Sequence, residues 1–171
     1  MPVGQREVRL QGQLPNPTET SCSTRPPDFT LPATGNPSFT LSSLQGQKVV
    51  LYFYPKDSTP GCTTESQNFR DLHDAFVAAG AVVLGISRDS IKSHENFCAK
   101  QALPFSLVSD PDETACNLYG VMKLKNMYGK QVRGIERSTF VIDAAGILRR
   151  EWRGVKVPGH AQEVLDYIKT L

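Results

Sequence analysis

Two short runs of consecutive apolar residues limit the fold more than any other feature of this chain. KVVLYFY (48–54) and AVVLGIS (81–87) are each the length of a strand. Strands without alternating polar positions are buried on both faces, as in a sheet that helices cover. Between the two runs, apolar residues recur every three or four positions over residues 63–80, which predicts a helix that ends at Gly80.

The rest of the chain continues this alternation of strands and helices. The further predicted elements are a helix at 90–101, a strand at 104–110, a short helix at 111–120, a hairpin at 138–152 and a final helix at 158–171. Together they predict an α/β protein with a central mixed sheet flanked by helices. Functional residues in such folds lie where the carboxyl end of a strand meets the next helix, and YPKDSTPGCTTE (54–65) is the clearest such junction.

Composition and charge exclude several classes of function. The chain has 171 residues, with 19 Lys and Arg against 17 Asp and Glu, so its net charge of +2 gives no basis for binding nucleic acid or a membrane surface. The longest apolar run, 49–54, is far shorter than the roughly 20 residues of a membrane span. The N-terminus also lacks the apolar core of a secretory signal. We therefore expect a cytoplasmic protein, in which a disulfide is more often catalytic than structural.

The N-terminal quarter differs in composition from the rest. Seven of the 12 prolines lie in residues 1–40, so this stretch is expected to be extended. We predict an arm over residues 1–25, with a small hairpin at 8–14 where apolar and polar residues alternate. One domain is expected to follow, over residues 26–171.

The cysteines and histidines do not form a metal-binding pattern. No C-x-x-C pair occurs, and the histidines are too widely spaced for a zinc finger or ribbon. We expect all three on the surface or on helix faces: His73, His94 and His160. Of the cysteines, Cys116 is expected to pack in the core, and Cys22 to be exposed in the polar arm.

Cys62 lies in a more unusual position. It is the third residue of a predicted helix whose N-cap is Thr59 and whose first residue is Pro60. Unpaired backbone N–H groups and the positive end of the helix dipole favour the thiolate there. The dipole supplies only roughly 0.3–1 kcal/mol, so a further positive group is needed. A lone cysteine is more often a buried packing residue, but such a residue does not require this junction rich in Pro and Gly.

The junction resembles the peroxidatic-cysteine motif of the peroxiredoxins. That motif is Pro, three residues, Thr or Ser, two residues and Cys, here Pro55, Thr59 and Cys62. The flanking YPKD and TPGCT, with Glu65, resemble the peroxiredoxin Q subfamily, also called bacterioferritin comigratory protein. A second similar segment is GIERSTFVID, in which Arg137 corresponds to the active-site arginine of the family. The resemblance extends from about residue 26 to the C-terminus and implies a thioredoxin-like fold.

The resemblance also implies a reaction. Cys62 would attack hydrogen peroxide or an organic hydroperoxide, release water or an alcohol and become a sulfenic acid. Arg137 would supply the missing positive charge, because its strand is expected to run beside the strand that precedes Cys62. The Thr59 hydroxyl would bond to the peroxide, and Pro55 would shape and shield the pocket. No metal or organic cofactor is needed.

The resolving cysteine departs from the commoner pattern of the subfamily. Many members carry it five residues after the peroxidatic one, but that position is Gln67 here. Others place it in the next helix, where this chain has Cys98, which implies a Cys62–Cys98 disulfide reduced by thioredoxin or glutaredoxin. Closure requires Cα atoms within about 7 Å, so local unwinding of the Cys62 helix would belong to the cycle. A core role for Cys98 with a one-cysteine mechanism stays open, and a monomer is the expected state.

Other functions also stay open. A thioredoxin-type oxidoreductase would have C-x-x-C where this chain has TPGC, and Thr59 replaces the first of those cysteines. A thioredoxin-like binding module would leave Cys62 without special reactivity. Residues 4–14 also resemble the N-terminal hairpin of the bacterial thiol peroxidases, a second peroxiredoxin subfamily.

Overall fold

A mixed sheet lies at the centre of the structure, a computed structural model that describes residues 24–171. The strands are β1 (Thr30–Ala33), β2 (Asn36–Thr40), β3 (Lys48–Phe53), β4 (Ala81–Ser87), β5 (Leu107–Ser109), β6 (Met122–Met127), β7 (Lys130–Ile135), β8 (Ser138–Ile142) and β9 (Leu148–Arg153). The helices are α1 (Pro60–Asp71), α2 (His73–Ala78), α3 (Ile91–Gln101), α4 (Thr114–Leu118) and α5 (His160–Ile168). A short 3-10 helix covers Leu41–Leu44.

Seven strands form the main sheet in the order β2-β1-β5-β4-β3-β8-β9. β4 runs parallel to both β3 and β5, whereas β8 runs antiparallel to β3 and to β9. The predicted mixed sheet is therefore confirmed. β3 lies between β4 and β8, so its carboxyl end and the start of β8 meet at one edge of the sheet, where Phe53 pairs with Ser138.

The central position of β3 explains its continuous apolar sequence. Alternate side chains of a strand point to opposite faces of the sheet. Val50 and Tyr52 join a core cluster that contains side chains of α1, α2, α3 and α5. Leu51 and Phe53 join a second cluster with α4 and the start of the β6–β7 hairpin. Both faces of β3 are thus covered, as the sequence predicts.

Three local features differ from the sequence prediction. The helix predicted to continue to Gly80 is interrupted at Leu72, where the backbone leaves the helical region and α2 begins. The proline-rich stretch contains the β1–β2 hairpin, which adds to the main sheet through β5. Residues 122–135 form the unpredicted β6–β7 hairpin.

Two predictions concern the N-terminal region. The hairpin expected at 8–14 lies outside the described residues. The division of the chain at residue 25 stays a prediction. Within residues 24–171, no helix is long and apolar enough to cross a membrane.

Candidate active site

Cys62 lies in the first turn of α1, directly after the loop that leaves β3. A residue before proline is restricted to extended backbone, and Thr59 before Pro60 accordingly has φ −85° and ψ 151°. This is the N-cap conformation, so the predicted helix start is confirmed. The Thr59 side chain does not cap the helix; its hydroxyl instead donates to the carbonyl oxygen of Lys56 over 2.8 Å. Cys62 is 1% exposed.

Arg137 supplies the positive charge nearest to this sulfur. It comes directly before β8, which runs antiparallel beside β3. Its Nη2 donates to Cys62 Sγ at 3.4 Å. Gly61 permits this approach, because a Cβ atom there would lie 3.2 Å from Arg137 Nη2. Burial lowers the pKa of Arg137, but the neighbouring Glu65 and Cys62 outweigh it and raise that pKa, so the guanidinium stays charged.

Glu65 holds the other side of the guanidinium. It lies one helical turn after Cys62, and its Oε1 accepts from Arg137 Nη1 at 2.7 Å. Its Oε2 is buried and has no hydrogen-bond partner among the described residues. Burial raises the pKa of Glu65 to about 7, although Arg137 acts in the opposite direction. Buried Cys62 and Glu65 therefore form one polar group with the half-buried Arg137, beside an apolar cluster to which Cys62 belongs.

The other site residues from the sequence lie around this group. Pro55 is half-buried in the loop between β3 and α1. Gln67, at the alternative position for a resolving cysteine, donates from Nε2 to Gln101 Oε1 at 2.8 Å and so links α1 to α3. Cys98 lies on α3, half-buried, with Sγ 4.0 Å from the Thr34 hydroxyl oxygen. Burial raises the pKa of the Cys98 thiol.

The structure does not join Cys62 and Cys98, since both thiols are free. Cys116 is also free, and it is fully buried in the second core cluster, as predicted. Burial raises the pKa of the Cys116 thiol, which makes it unreactive. Cys22 lies outside the described residues.

Of the histidines expected on the surface or on helix faces, His94 and His160 do lie in helices, α3 and α5, but both are buried. His160 is 4% exposed, and burial lowers its pKa to about 4. His94 lies on the predicted helix face but is completely buried, with Nδ1 2.7 Å from Asp57 Oδ2. Neither burial was predictable from spacing, because the partners come from distant segments: Asp57 from the loop before α1, and Thr139 of β8 for His160.

Asp57, Asp89 and His94 place three potential metal-ligand atoms within 4.8 Å of one another. These atoms are already engaged by protein donors. Asp89 Oδ2 accepts from the backbone N–H of Asp57 and from the hydroxyl of Ser87, and Asp57 Oδ2 accepts from Ser93 and His94. The cluster is therefore a hydrogen-bond network rather than a metal site.

The chain is similar to known proteins over most of its length. The model of the AhpC/TSA family matches residues 23–151. Peroxiredoxin Bcp of Xanthomonas campestris is 56% identical over 142 residues, which are 83% of this chain and 89% of that protein. Peroxiredoxin Bcp of Bacillus subtilis is 46% identical over 145 residues, 85% of this chain and 92% of that protein.

Solved structures agree with the sequence comparison. A structure of X. campestris peroxiredoxin Q has a TM-score of 0.79 and 55% identity, covering 83% of this chain and 90% of the other. A structure from work on the alkyl peroxide reduction activity of X. campestris bacterioferritin comigratory protein has the same TM-score and coverage at 54% identity. The expected thioredoxin-like fold is thereby confirmed. The chain belongs to the AhpC/TSA family and is a peroxiredoxin, a thiol peroxidase.

Proposed function

We propose that Cys62 is the peroxidatic nucleophile, and that it reduces hydrogen peroxide and organic hydroperoxides. The observation that carries this proposal is the 3.4 Å contact between Arg137 Nη2 and Cys62 Sγ at the start of α1. A fixed cation and a helix N-terminus both favour the thiolate, which is the reactive form. The alkyl peroxide reduction activity of the X. campestris relative supports the organic substrate class.

The chemical step is a displacement at oxygen. The Cys62 thiolate forms an S–O bond while the O–O bond of the peroxide breaks. The leaving oxygen takes a proton and departs as water or an alcohol, and Cys62 is oxidised to a sulfenic acid. Arg137 stabilises the negative charge that moves from sulfur to the leaving oxygen, because its guanidinium presents several fixed donors.

Thr59 and Pro55 orient and enclose the peroxide in this proposal. The Thr59 hydroxyl donates its hydrogen to the Lys56 carbonyl, so its oxygen lone pairs are available to accept from a peroxide O–H. Pro55, half-buried in the same loop, limits the access of water. Glu65 acts through Arg137, whose orientation it fixes by the 2.7 Å ion pair.

The second step in the proposal uses Cys98 as the resolving cysteine. Its thiol attacks the Cys62 sulfenic acid, which forms the disulfide and releases water. The solved structures of X. campestris peroxiredoxin Q include two cysteine-to-serine variants at positions 36 residues apart, the separation of Cys62 and Cys98 here. Cys62 lies in the first turn of α1 and Cys98 on α3, and closure requires Cα atoms within about 7 Å, so the proposed step includes opening of the first turn of α1.

The remaining parts of the proposal do not rest on contacts in the structure. Reduction of the disulfide by thioredoxin or glutaredoxin and a monomeric state follow from the resemblance to the subfamily. A cytoplasmic location and an N-terminal arm over residues 1–25 follow from the composition of the sequence.

Mass spectrometry after one equivalent of peroxide, with reductant absent, tests the two steps together. We expect a peptide pair linked through Cys62 and Cys98. Cys62 left as a sulfenic acid, with Cys98 reduced, would replace the second step by a one-cysteine mechanism. Cys62 left unmodified would contradict its proposed role as the peroxidatic nucleophile.

A further inference from the structure

A buried hydrogen-bond network joins the loop before Cys62 to the helix that carries Cys98. Its centre is Asp57, which is 5% exposed. Asp57 Oδ1 accepts from the Tyr54 hydroxyl at 2.6 Å, and Oδ2 accepts from Ser93 Oγ at 2.8 Å. The His94 Nδ1 atom lies 2.7 Å from the same Oδ2. Ser93 and His94 both belong to the first turn of α3, so Asp57 ties two separate segments together.

The hydrogen-bond partners fix the charge of this pair. His94 Nε2 lies 2.9 Å from the carbonyl oxygen of Val108, which can only accept, so Nε2 carries a proton. The Nδ1 atom faces a carboxylate oxygen and therefore donates as well. Burial raises the pKa of Asp57, but the hydrogen bonds from His94, Tyr54 and Ser93 outweigh it and lower that pKa. Asp57 and His94 thus form a buried ion pair.

This pair is close in the sequence to both proposed redox cysteines. Asp57 precedes Cys62 by five residues, and the residue after it, Ser58, has φ +63°, a left-handed conformation that is strained for a residue with a side chain. His94 precedes Cys98 by four residues, one turn of α3. A movement that opens the start of α1 or of α3 therefore involves the segments that carry the two ends of the pair.

We propose that the Asp57–His94 pair is a latch that keeps the Cys62 loop folded against α3, and that it decides how the Cys62 sulfenic acid reacts next. The inference rests on the proposed function, because it concerns the competition between two fates of that intermediate. With the latch open, the Cys98 thiol attacks the sulfenic acid, giving the disulfide and water. With the latch closed, Cys62 stays in α1, and a second peroxide oxidises it to the sulfinic acid, releasing water or an alcohol.

Asp57 and His94 are positioning residues in this scheme, since neither contacts Cys62. Opening the latch separates a buried charge pair, so it raises the free energy of the opened form. A weaker latch is expected to speed disulfide formation and to protect Cys62 from a second oxidation. A merely structural role would lower thermal stability and leave this partition unchanged.

Two substitutions of His94 distinguish the hydrogen bond made by Nδ1 from the one made by Nε2. In His94→Asn the amide nitrogen replaces Nδ1 and keeps a hydrogen bond to Asp57, whereas in His94→Gln it replaces Nε2 and keeps only the bond to Val108. A second pair of variants, Ser93→Ala and Tyr119→Phe, each deletes one part-buried hydroxyl hydrogen bond. The Tyr119 hydroxyl donates to the carbonyl oxygen of Pro27 at 2.7 Å and makes no hydrogen bond to the latch.

The experiment treats each protein with a series of peroxide concentrations, without reductant, and counts disulfide and sulfinic acid at Cys62 by mass spectrometry. We expect the ratio of disulfide to sulfinic acid to rise on the order of tenfold in His94→Gln, in line with the loss of one hydrogen bond to a charged group. It should rise less in Ser93→Ala and His94→Asn, and stay at the wild-type value in Tyr119→Phe.

The outcomes that overturn the latch differ from those that overturn the proposed function. If wild type forms the Cys62–Cys98 disulfide but the ratio is unchanged or lower in His94→Gln, the latch is wrong. If His94→Gln does not fold, an unchanged ratio in Ser93→Ala overturns the latch equally. If wild type forms no disulfide at all, the resolving step of the proposed function fails instead.

Discussion

Glu65 and Arg137 meet in a buried ion pair in which only one carboxylate oxygen is used. The Oε1 atom of Glu65 lies 2.7 Å from Arg137 Nη1, while its Oε2 is buried without a hydrogen-bond partner in the described part of the chain. Burial of the second oxygen penalises the charged form, and the pKa of Glu65 rises to about 7. The pair that orients the guanidinium beside Cys62 therefore changes its charge close to neutral pH.

The first prediction concerns the effect of Glu65 on stability. Folding raises its pKa from 4.5 to about 7, so between these values the folded protein holds a proton that the unfolded chain has lost. The free energy of unfolding therefore falls by roughly 3 kcal/mol in total as the pH rises through this window. Above the window, Glu65 causes no further change. We expect Glu65→Gln to become more stable relative to wild type as the pH rises from about 5 to about 7.

Urea unfolding at several pH values measures this difference. Glu95→Gln, an exposed glutamate on α3, is the matched control and should follow wild type at every pH. A Glu65→Gln difference that does not change with pH would show that Glu65 is ionised in the folded protein throughout the window.

The second prediction concerns Arg137. In Arg137→Lys the charge remains, but a single ammonium group cannot bond to both Glu65 and Cys62 as the guanidinium does. We expect the rate constant of Cys62 oxidation by peroxide to fall by roughly 10²–10³-fold in Arg137→Ala, a loss typical of an electrostatic donor in an active site. Arg137→Lys should lie between Arg137→Ala and wild type.

Stopped-flow measurement of the oxidation gives these rate constants directly. Arg149→Lys, on the exposed part of β9, is the control, since its partner Asp143 lies 3.8 Å away, at the far end of β8 from the active site. Equal rates in Arg137→Lys and wild type would mean that charge alone, without the two-sided geometry, activates the sulfur.

The structure also shows which parts of the site local sequence could predict. Thr59, Pro60 and Cys62 were placed correctly, because the helix start depends on neighbouring residues: proline restricts the residue before it and suits the first position of a helix. The approach of Arg137 was implied by the resemblance to the peroxiredoxins, and the pairing of β3 with β8 accounts for it. The local pattern alone indicates only that a positive group is needed.

His94 and the two unpredicted hairpins required information that no local pattern carries. His94 has apolar neighbours at helical spacing in both directions, Ile91 before it and Phe97 and Cys98 after it, but its burial depends on Asp57, 37 residues earlier in the chain. The β6–β7 hairpin is mostly exposed, and alternation of apolar and polar residues covers only Met122–Lys125, the shortest run that indicates a strand. Its turn is visible only in the structure, where Tyr128 and Gly129 have φ of 54° and 79°, the left-handed pair of a tight hairpin turn.

The third prediction separates the two cysteines. Cys62→Ser should keep the fold and lose peroxidase activity completely, because serine has no nucleophilic form comparable with the thiolate. Cys98→Ser should still consume one equivalent of peroxide at Cys62, but it should lose turnover with a disulfide reductant. Thiol counting and peroxide consumption measure both effects.

Cys116→Ser is the matched control for these variants. It removes a thiol that is fully buried and unreactive, so it is expected to lower stability without changing peroxide consumption. Peroxide turnover by Cys62→Ser would contradict the assignment of the nucleophile. Full turnover by Cys98→Ser would contradict only its role in resolving the sulfenic acid.

The fourth prediction concerns Gly61, where an added methyl group is expected to slow the reaction with peroxide without lowering stability. A Cβ atom at this position would lie 3.2 Å from Arg137 Nη2, closer than an ordinary contact, so in Gly61→Ala the guanidinium must shift away from Cys62. Gly61 lies in the first turn of α1, where alanine is favoured over glycine by roughly 0.5–1 kcal/mol. We expect Gly61→Ala to be at least as stable as wild type and to react more slowly with peroxide.

Gly134→Ala, whose Cβ would meet only the end of the Lys125 side chain at 4.0 Å, controls for the added methyl group and should react at the wild-type rate. If Gly61→Ala reacts as fast as wild type, the close approach of Arg137 to the sulfur is not what sets the rate; if it is slow only because it is unstable, the melting temperature will show it.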